Sequence, residues 1–262
     1  MKIANFKTYG TSAIVLGALG ALALTSQAST SATPASLDAR TAAVSRWLGV
    51  TGLHDQGWRL VTDAVGARYQ THLSGVGVVE IDAATNEVDE VIYDSNLDSL
   101  PGATVDDSRA QATATTFARA RYSGFDGLVS RGATLVDHGV FREYRAVWQA
   151  RRGNAWLPSQ VTVGVNAATG EVAYYWSRRV AVTVSTDPAI SAASARHSAE
   201  AIAPGLTITA GPDLEVTVSD GHQQVVWVTE LTHQYTSGVH VSDHRVVWTD
   251  ARTGVSQIVA RG

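Results

Sequence analysis

The sequence predicts an α+β fold made of repeated units, each with one helix packed on an antiparallel β-sheet. Two observations support this. A seven-residue turn pattern occurs at residues 82–88, 166–172 and 250–256, so that successive copies begin 84 positions apart. A stretch with helical spacing of apolar residues precedes each copy, and apolar or alternating runs flank it, as expected of a β-hairpin written three times.

The residue types in the pattern explain the turn. Its first side chain can accept a hydrogen bond from a backbone N–H two residues on, and its fifth residue needs a positive φ, which Gly adopts freely and Asn tolerates. The first residues are Asp82, Asn166 and Asp250, and the fifth are Asn86, Gly170 and Gly254. We therefore assign the three acid or amide side chains to the turn rather than to a catalytic or metal site.

The N-terminus is typical of a secretory signal peptide. Lys2 and Lys7 precede an apolar run over residues 13–24, and small residues follow at Ser26 and Ala28. We expect cleavage after residue 28, a linker over 29–37, and a secreted or cell-surface protein with no membrane span once the signal is removed. The alternative is an uncleaved anchor, although the run is shorter than the roughly 20 residues that a span needs.

The first unit, residues 38–98, is shortened. Asp38 is a plausible N-cap for a helix to Leu48, which the glycines at 49, 52 and 57 end. Alternating or apolar runs then predict strands at 58–65, 67–73, 78–81 and 88–93.

The second and third units, residues 99–186 and 187–262, share one layout. In the second, Asp106 or Asp107 caps a helix over 108–122, from which Phe117 and Tyr122 should face a sheet. In the third, a helix over 191–203 ends at a Pro-Gly pair. Predicted strands follow at 133–137, 142–150 and 160–165, and then at 206–209, 214–218, 223–232, 238–241 and 245–249. Because the strands alternate, the sheet face away from each helix should be solvated or packed on a neighbouring unit.

Composition excludes several classes of function. The chain has no cysteine, which excludes disulfides, thiol catalysis and cysteine-ligated zinc. Both lysines lie in the predicted signal, which leaves 18 arginines against 24 acidic residues. A nucleic-acid-binding protein usually carries a clustered basic face, whereas Arg151-Arg152 and Arg178-Arg179 are only pairs. We expect no nucleic-acid partner.

No catalytic, cofactor-binding or metal-binding residues are predicted. The sequence has no H-E-x-x-H, G-x-S-x-G, Walker or G-x-G-x-x-G pattern that opens a helix. The best metal candidate is a group near the C-terminus: His233, His240, Asp243 and His244. Residues four apart on a strand are about 13 Å apart, so these side chains could converge only around a tight turn, and we interpret the histidines as surface residues.

The tryptophans fall into two groups. Four lie in predicted strands and are expected in the core: Trp148, Trp176, Trp227 and Trp248. Trp156 lies in a turn-rich stretch beside Leu157 and Pro158. It could contact a partner or pack back on the sheet.

The order of elements, with a helix followed by strands and a closing hairpin, resembles that of the PepSY family. The stretches that carry the resemblance are Val246–Gly254 and Val163–Val172. It covers most of residues 107–262 and, more loosely, 38–94. PepSY domains occur in propeptides of thermolysin-type secreted metallopeptidases and in bacterial surface and germination proteins.

The resemblance implies a non-enzymatic protein, without cofactors, that binds or modulates extracellular peptidases or cell-wall components. Its expected partner is a secreted peptidase or a cell-wall polymer. The alternative is a carbohydrate- or cell-wall-binding adhesion module that uses surface tryptophans. We do not expect a metal-dependent hydrolase, because the sequence lacks a convincing set of metal ligands.

Overall fold

The computed structural model describes residues 37–63, 66–96, 104–139, 141–219, 221–232 and 244–259. The predicted signal peptide, almost all of the linker after it and the predicted strand over 238–241 lie outside these residues. Three α-helices are described: α1 Leu37–Leu48, α2 Asp107–Arg121 and α3 Ala192–Ile202. None of the helices within the described ranges is both long and apolar enough to cross a membrane.

Twelve strands account for most of the remaining structure. They are β1 Arg59–Asp63, β2 Gly66–Leu73, β3 Gly77–Asp82, β4 Val88–Tyr93, β5 Leu128–Asp137, β6 Arg142–Arg152, β7 Ala155–Asn166, β8 Val172–Arg178, β9 Thr207–Ser219, β10 His222–Thr232, β11 His244–Asp250 and β12 Ser256–Val259. They form a sheet in the order β1-β2-β3-β4-β8-β7-β9-β10-β11-β12, with β6 paired to β7 and β5 paired to β6. Along the order from β1 to β12, β7 pairs with β9 in parallel at Trp156 and Glu215, and the other pairings are antiparallel.

The prediction of repeated helix-on-sheet units is therefore wrong. Strand β4, from the first predicted unit, pairs with β8, from the second, through Glu90–Ile92 and Tyr174–Trp176. The two segments share one sheet because an isolated unit would leave the backbone groups of its edge strand unpaired. They also share one core, in which Val44, Val79 and Ala114 belong to a single cluster.

The described residues fall into two compact units. Unit 1 runs to Gln149 and also contains Gln160–Arg178. Unit 2 contains Ala150–Ser159 and the described residues from Arg179 onward.

In unit 1, helices α1 and α2 pack on one face of the sheet. Three alanines of α2 are fully buried, and such small side chains let the helix lie close to the strands: Ala110, Ala114 and Ala118. Trp47 of α1 and Phe117 of α2 both pack on Tyr175 of β8, with ring centroids 4.9 Å and 5.8 Å away. The prediction that Phe117 and Tyr122 face the sheet is confirmed, since Tyr122 is buried in the core cluster and Phe117 packs against it.

In unit 2, helix α3 packs its alanines on the last strands. Ala195 belongs to a cluster with Leu214, Val216 and Trp227. Ala199 and Ala203 pack with Leu231 and Val247 in a second cluster.

The three predicted turns are confirmed and share one hydrogen-bond pattern. In each copy the first side chain accepts from the backbone N–H groups two and three residues on, at 2.7–3.3 Å. The fifth residue has a positive φ of 57° at Asn86, 77° at Gly170 and 78° at Gly254. The local residue chemistry is sufficient to form the turn in all three places.

Two of the turns also hold the segment that leads into a helix. The Ala167 carbonyl accepts from the N–H groups of Thr104 and Val105, at 2.9 Å and 3.1 Å, just before α2. The Ala251 carbonyl accepts from Ala189 and Ile190 in the same way before α3, at 2.8 Å and 3.1 Å. Each helix then begins at a capping side chain, Asp106 or Ser191.

Candidate functional site

The face of the unit 1 sheet opposite the helices carries a continuous row of polar side chains. Successive side chains of a strand point to opposite faces, so the residues that alternate with the core lie on this face. We call the following residues the polar row: Arg59 of β1, Arg68 and Gln70 of β2, Glu80 of β3, Glu90 of β4, Tyr174 of β8, Glu143 and Arg145 of β6, and His138 after β5.

One end of the row is organised around Glu80, which is only 8% exposed. Its carboxylate accepts from Gln70 Nε2 at 2.6 Å and lies 3.1 Å from the Nε of Arg68. Arg59 donates in turn to the side-chain oxygen of Gln70. A buried carboxylate is tolerated where it is paired and hydrogen-bonded, and these neighbours meet that need.

The centre of the row places a second carboxyl opposite the first. Glu90 is the direct cross-strand partner of Glu80, so their side chains lie on the same face. Burial, followed by the charge of Glu80, raises the pKa of Glu90 to about 7. The hydrogen bond with Tyr174 and the charge of Arg68 oppose that rise. Glu90 therefore changes protonation state near neutral pH.

Two neighbours of Glu90 are perturbed as well. Asp89 is the extra residue at an irregularity of the β3–β4 register, and burial, then the charge of Asp82, raises its pKa to about 7. Burial and the charge of Glu90 raise the pKa of Tyr174 well above its ordinary value. Tyr174 therefore keeps its proton and serves as a hydrogen-bond donor.

The other end of the row depends on a glycine. Gly164 of β7 lies beside Tyr174 in the sheet, and a Cβ on it would lie 2.1 Å from Oε2 of Glu143. The side chain of Glu143 occupies the space that any other residue type at 164 would fill. Residue 164 must lack a side chain for the row to cross β7.

Glu143 is 2% exposed, yet it is held as a carboxylate. Its Oε1 accepts from Arg145 Nε at 2.9 Å and lies 3.2 Å from Nε2 of His138. Burial by itself raises the pKa of Glu143, but the hydrogen bond of His138 and the charge of Arg145 outweigh it and hold the pKa below its ordinary value.

Arg145 joins the two ends. Its guanidinium carbon lies 6.0 Å from the centre of the Tyr174 ring, at the limit of a cation–π contact. The row therefore runs without interruption from Arg59 to His138. Each carboxylate at its ends has a fixed partner: Gln70 and Arg68 for Glu80, and Arg145 and His138 for Glu143.

The tryptophan predictions are mostly confirmed. Trp148, Trp227 and Trp248 are buried in core clusters. The prediction for Trp176 is wrong: it is half-buried on the face of the polar row, because it is the β8 partner of Glu90 and Thr162.

Trp156 lies in strand β7 rather than in a loop. It is half-buried in unit 2, with the guanidinium of Arg151 5.0 Å from its ring centre.

Of the four residues named as metal candidates, His244 is the one that the structure describes. His244 Nε2 lies 3.1 Å from Oε2 of Glu230 on the neighbouring strand. His233, His240 and Asp243 lie outside the described residues. Within the part of the chain that the structure describes, no group of three or more His, Cys, Asp and Glu side chains could hold a metal ion.

The polar row itself was missed in the sequence. Its signal was present as charged residues at interior strand positions, such as Glu80 in the run 78–81 and Glu143 with Arg145 in the alternating run 142–150. What the sequence lacked was the register of the strands and the pairing of β4 with β8.

No known family of proteins matches the sequence. No curated protein matches it either. Among solved structures, the chain is similar to the YpeB C-terminal domain of Bacillus megaterium, with 14% identity and a TM-score of 0.47 over 87% of this chain and 99% of that one. This is a distant likeness, and the PepSY resemblance remains a prediction.

Proposed function

We propose that the protein is a secreted, non-enzymatic, PepSY-like binding protein whose polar row binds an extracellular peptidase. The observation that carries the proposal is the continuity of the row across the unit 1 sheet. The recurrence of one hydrogen-bonded turn at residues 82, 166 and 250 supports the PepSY-like part, because that turn lies in the motif on which the resemblance depends.

The signs of the charges favour a polypeptide partner. The row alternates cations and anions: Arg68 beside Glu80 at one end, and Arg145 beside Glu143 at the other. An anionic polymer would be repelled by the carboxylates, and it usually selects a face of one sign. A polypeptide offers both signs together with backbone donors and acceptors, so it can match the row.

One observation favours the alternative of a cell-wall glycan. Trp176 lies on the same face, half-buried beside the carboxyl of Glu90. An aromatic ring next to hydrogen-bonding groups offers an apolar surface and polar contacts together. In that case the protein would be an adhesion module.

The two functions differ in what the immobilised protein retains. Wild type should enrich a peptidase from the culture medium of the producing organism, and Arg145→Gln should reduce that capture at least several-fold. The control is Arg196→Gln, which removes an exposed arginine from α3 of unit 2 and should leave capture unchanged.

Retention on purified cell wall, with no peptidase enriched, would replace the leading function with the alternative. Equal capture by Arg145→Gln and wild type would show that a different surface binds the peptidase.

A further inference from the structure

The junction between β4 and β8 in unit 1 is short. Strand β4 joins β8 through three residue pairs, Glu90–Ile92 with Tyr174–Trp176, which we call the β4–β8 seam. The hairpin of β3 and β4 is held by more pairs and by its own turn, from Gly77↔Tyr93 to Ile81↔Val88. The seam is therefore the weaker of the two junctions that β4 makes.

Glu90 lies at one end of the seam and faces a second carboxyl. Glu80 is its direct partner on β3, and like charges directly opposite each other destabilise an antiparallel pair. Arg68 on β2 is the cation beside Glu80, and one guanidinium must then serve two carboxylates. Asp89, next along β4, adds a further acidic group.

On the β8 side, Glu90 meets the neutral phenol of Tyr174, and the arginine of that strand, Arg178, lies two residues beyond Trp176 on the same face. Tyr174 is hydrogen-bonded to Glu90. Next to Tyr174, Arg145 of β6 donates to the carboxylate of Glu143 through its Nε at 2.9 Å and its Nη2 at 2.5 Å. Ionisation of Glu90 therefore adds a negative charge to a half-buried junction whose neighbouring cations are already paired.

We propose that the β4–β8 seam is a proton-controlled latch, closed while Glu90 carries its proton and loosened when Glu90 ionises. Because the pKa of Glu90 is about 7, the seam would loosen near neutral pH, within the pH range to which a secreted protein is exposed. The latch would regulate the same row that the proposed function uses, since the seam joins Glu80 and Glu90 to Tyr174. This regulatory role rests on the proposed function, whereas the opening of the seam can be measured in the protein without a partner.

Amide hydrogen exchange of the full chain tests the latch without any ligand. After correction for the intrinsic pH dependence of exchange, protection of the amides of Glu90–Ile92 and Tyr174–Trp176 should fall about tenfold or more between pH 6 and pH 8. Amides of β10 and β11 in unit 2 should keep their protection. Glu90→Gln retains the size and hydrogen bonding of the side chain but cannot ionise, so its seam should stay protected throughout.

Two further variants sharpen the result. Glu171→Gln removes an exposed carboxylate of the same unit and should behave as wild type. Glu80→Gln removes the opposing charge and so lowers the pKa of Glu90, which should make the loss of protection smaller and move it to lower pH. Wild-type protection that does not change with pH, or an unchanged pH dependence in Glu90→Gln, would overturn the latch. Because the readout needs no partner, failure to capture a peptidase leaves this result unaffected.

Discussion

At the scale of single residues, Gly164 determines whether the polar row can cross β7. Gly164→Ala would place a Cβ 2.1 Å from Oε2 and 2.9 Å from Cδ of Glu143. The carboxylate would have to leave Arg145 and His138 while remaining buried. We expect the free energy of unfolding to fall by about 2–4 kcal/mol, as for other broken buried networks, measured by urea denaturation.

Gly127 provides the matched control. A Cβ there would meet no atom within 4 Å, and its φ is not in the left-handed region. Gly127→Ala should change the free energy of unfolding by less than about 1 kcal/mol. Equal losses in the two variants would contradict the role assigned to Gly164.

At the scale of elements, the second turn tests the shared turn geometry. Gly170→Val would put a β-branched residue at a φ of 77° and its Cβ 3.1 Å from Cγ2 of Val105, the residue docked before α2. The strain should cost about 1–3 kcal/mol. Gly170→Asn should cost less, because Asn86 occupies the equivalent position with a φ of 57°. Urea midpoints of the two variants and wild type measure the difference.

Gly254→Asn is the control for crowding. A Cβ at residue 254 would lie 3.9 Å from the nearest atoms of Ile190, which is ordinary contact. This variant should therefore lose less stability than Gly170→Asn. Identical midpoints for Gly170→Val and Gly170→Asn would mean that the positive φ does not control this turn.

The helices, turns and strands differ in how well the sequence predicts them. The turns and helices were predicted because their signals lie within a few residues, as in Asp82 with Asn86 or Asp106 with the first turn of α2. The pairing of Glu90 with Trp176 joins residues from two segments that were assigned to separate units. No local pattern encodes that choice, and both the shared sheet and the polar row depend on it.

At the scale of the whole molecule, stability should peak in mildly acidic solution. The pKa values of Asp89 and Glu90 are raised to about 7, so the folded state holds protons that the unfolded chain has released. The free energy of unfolding should therefore decrease as pH rises from about 4 to 7 and then level off. Below this range, Glu143 has the opposite effect: its lowered pKa gives stability that is lost as acid protonates it.

Urea titrations at pH 5, 6, 7 and 8 measure this dependence. We expect a total loss on the order of 2 kcal/mol or more between pH 5 and 8, given about 1.4 kcal/mol for each pKa unit. Glu90→Gln should reduce the loss, and Glu171→Gln should not. A free energy of unfolding that rises over the same interval would show that these carboxyls do not titrate as described.

The docking of helix starts on later turns also sets an order of events in time. The N–H of residue 105 cannot make its hydrogen bond until residue 167 has been synthesised. The N–H of residue 190 likewise needs the carbonyl of residue 251. Contacts so far apart in the chain slow the search for the native topology. The backbone contact that fixes the start of α2 therefore forms only after β5, β6 and β7 have emerged, whereas the packing of Phe117 on Trp47 and Tyr93 involves residues already made.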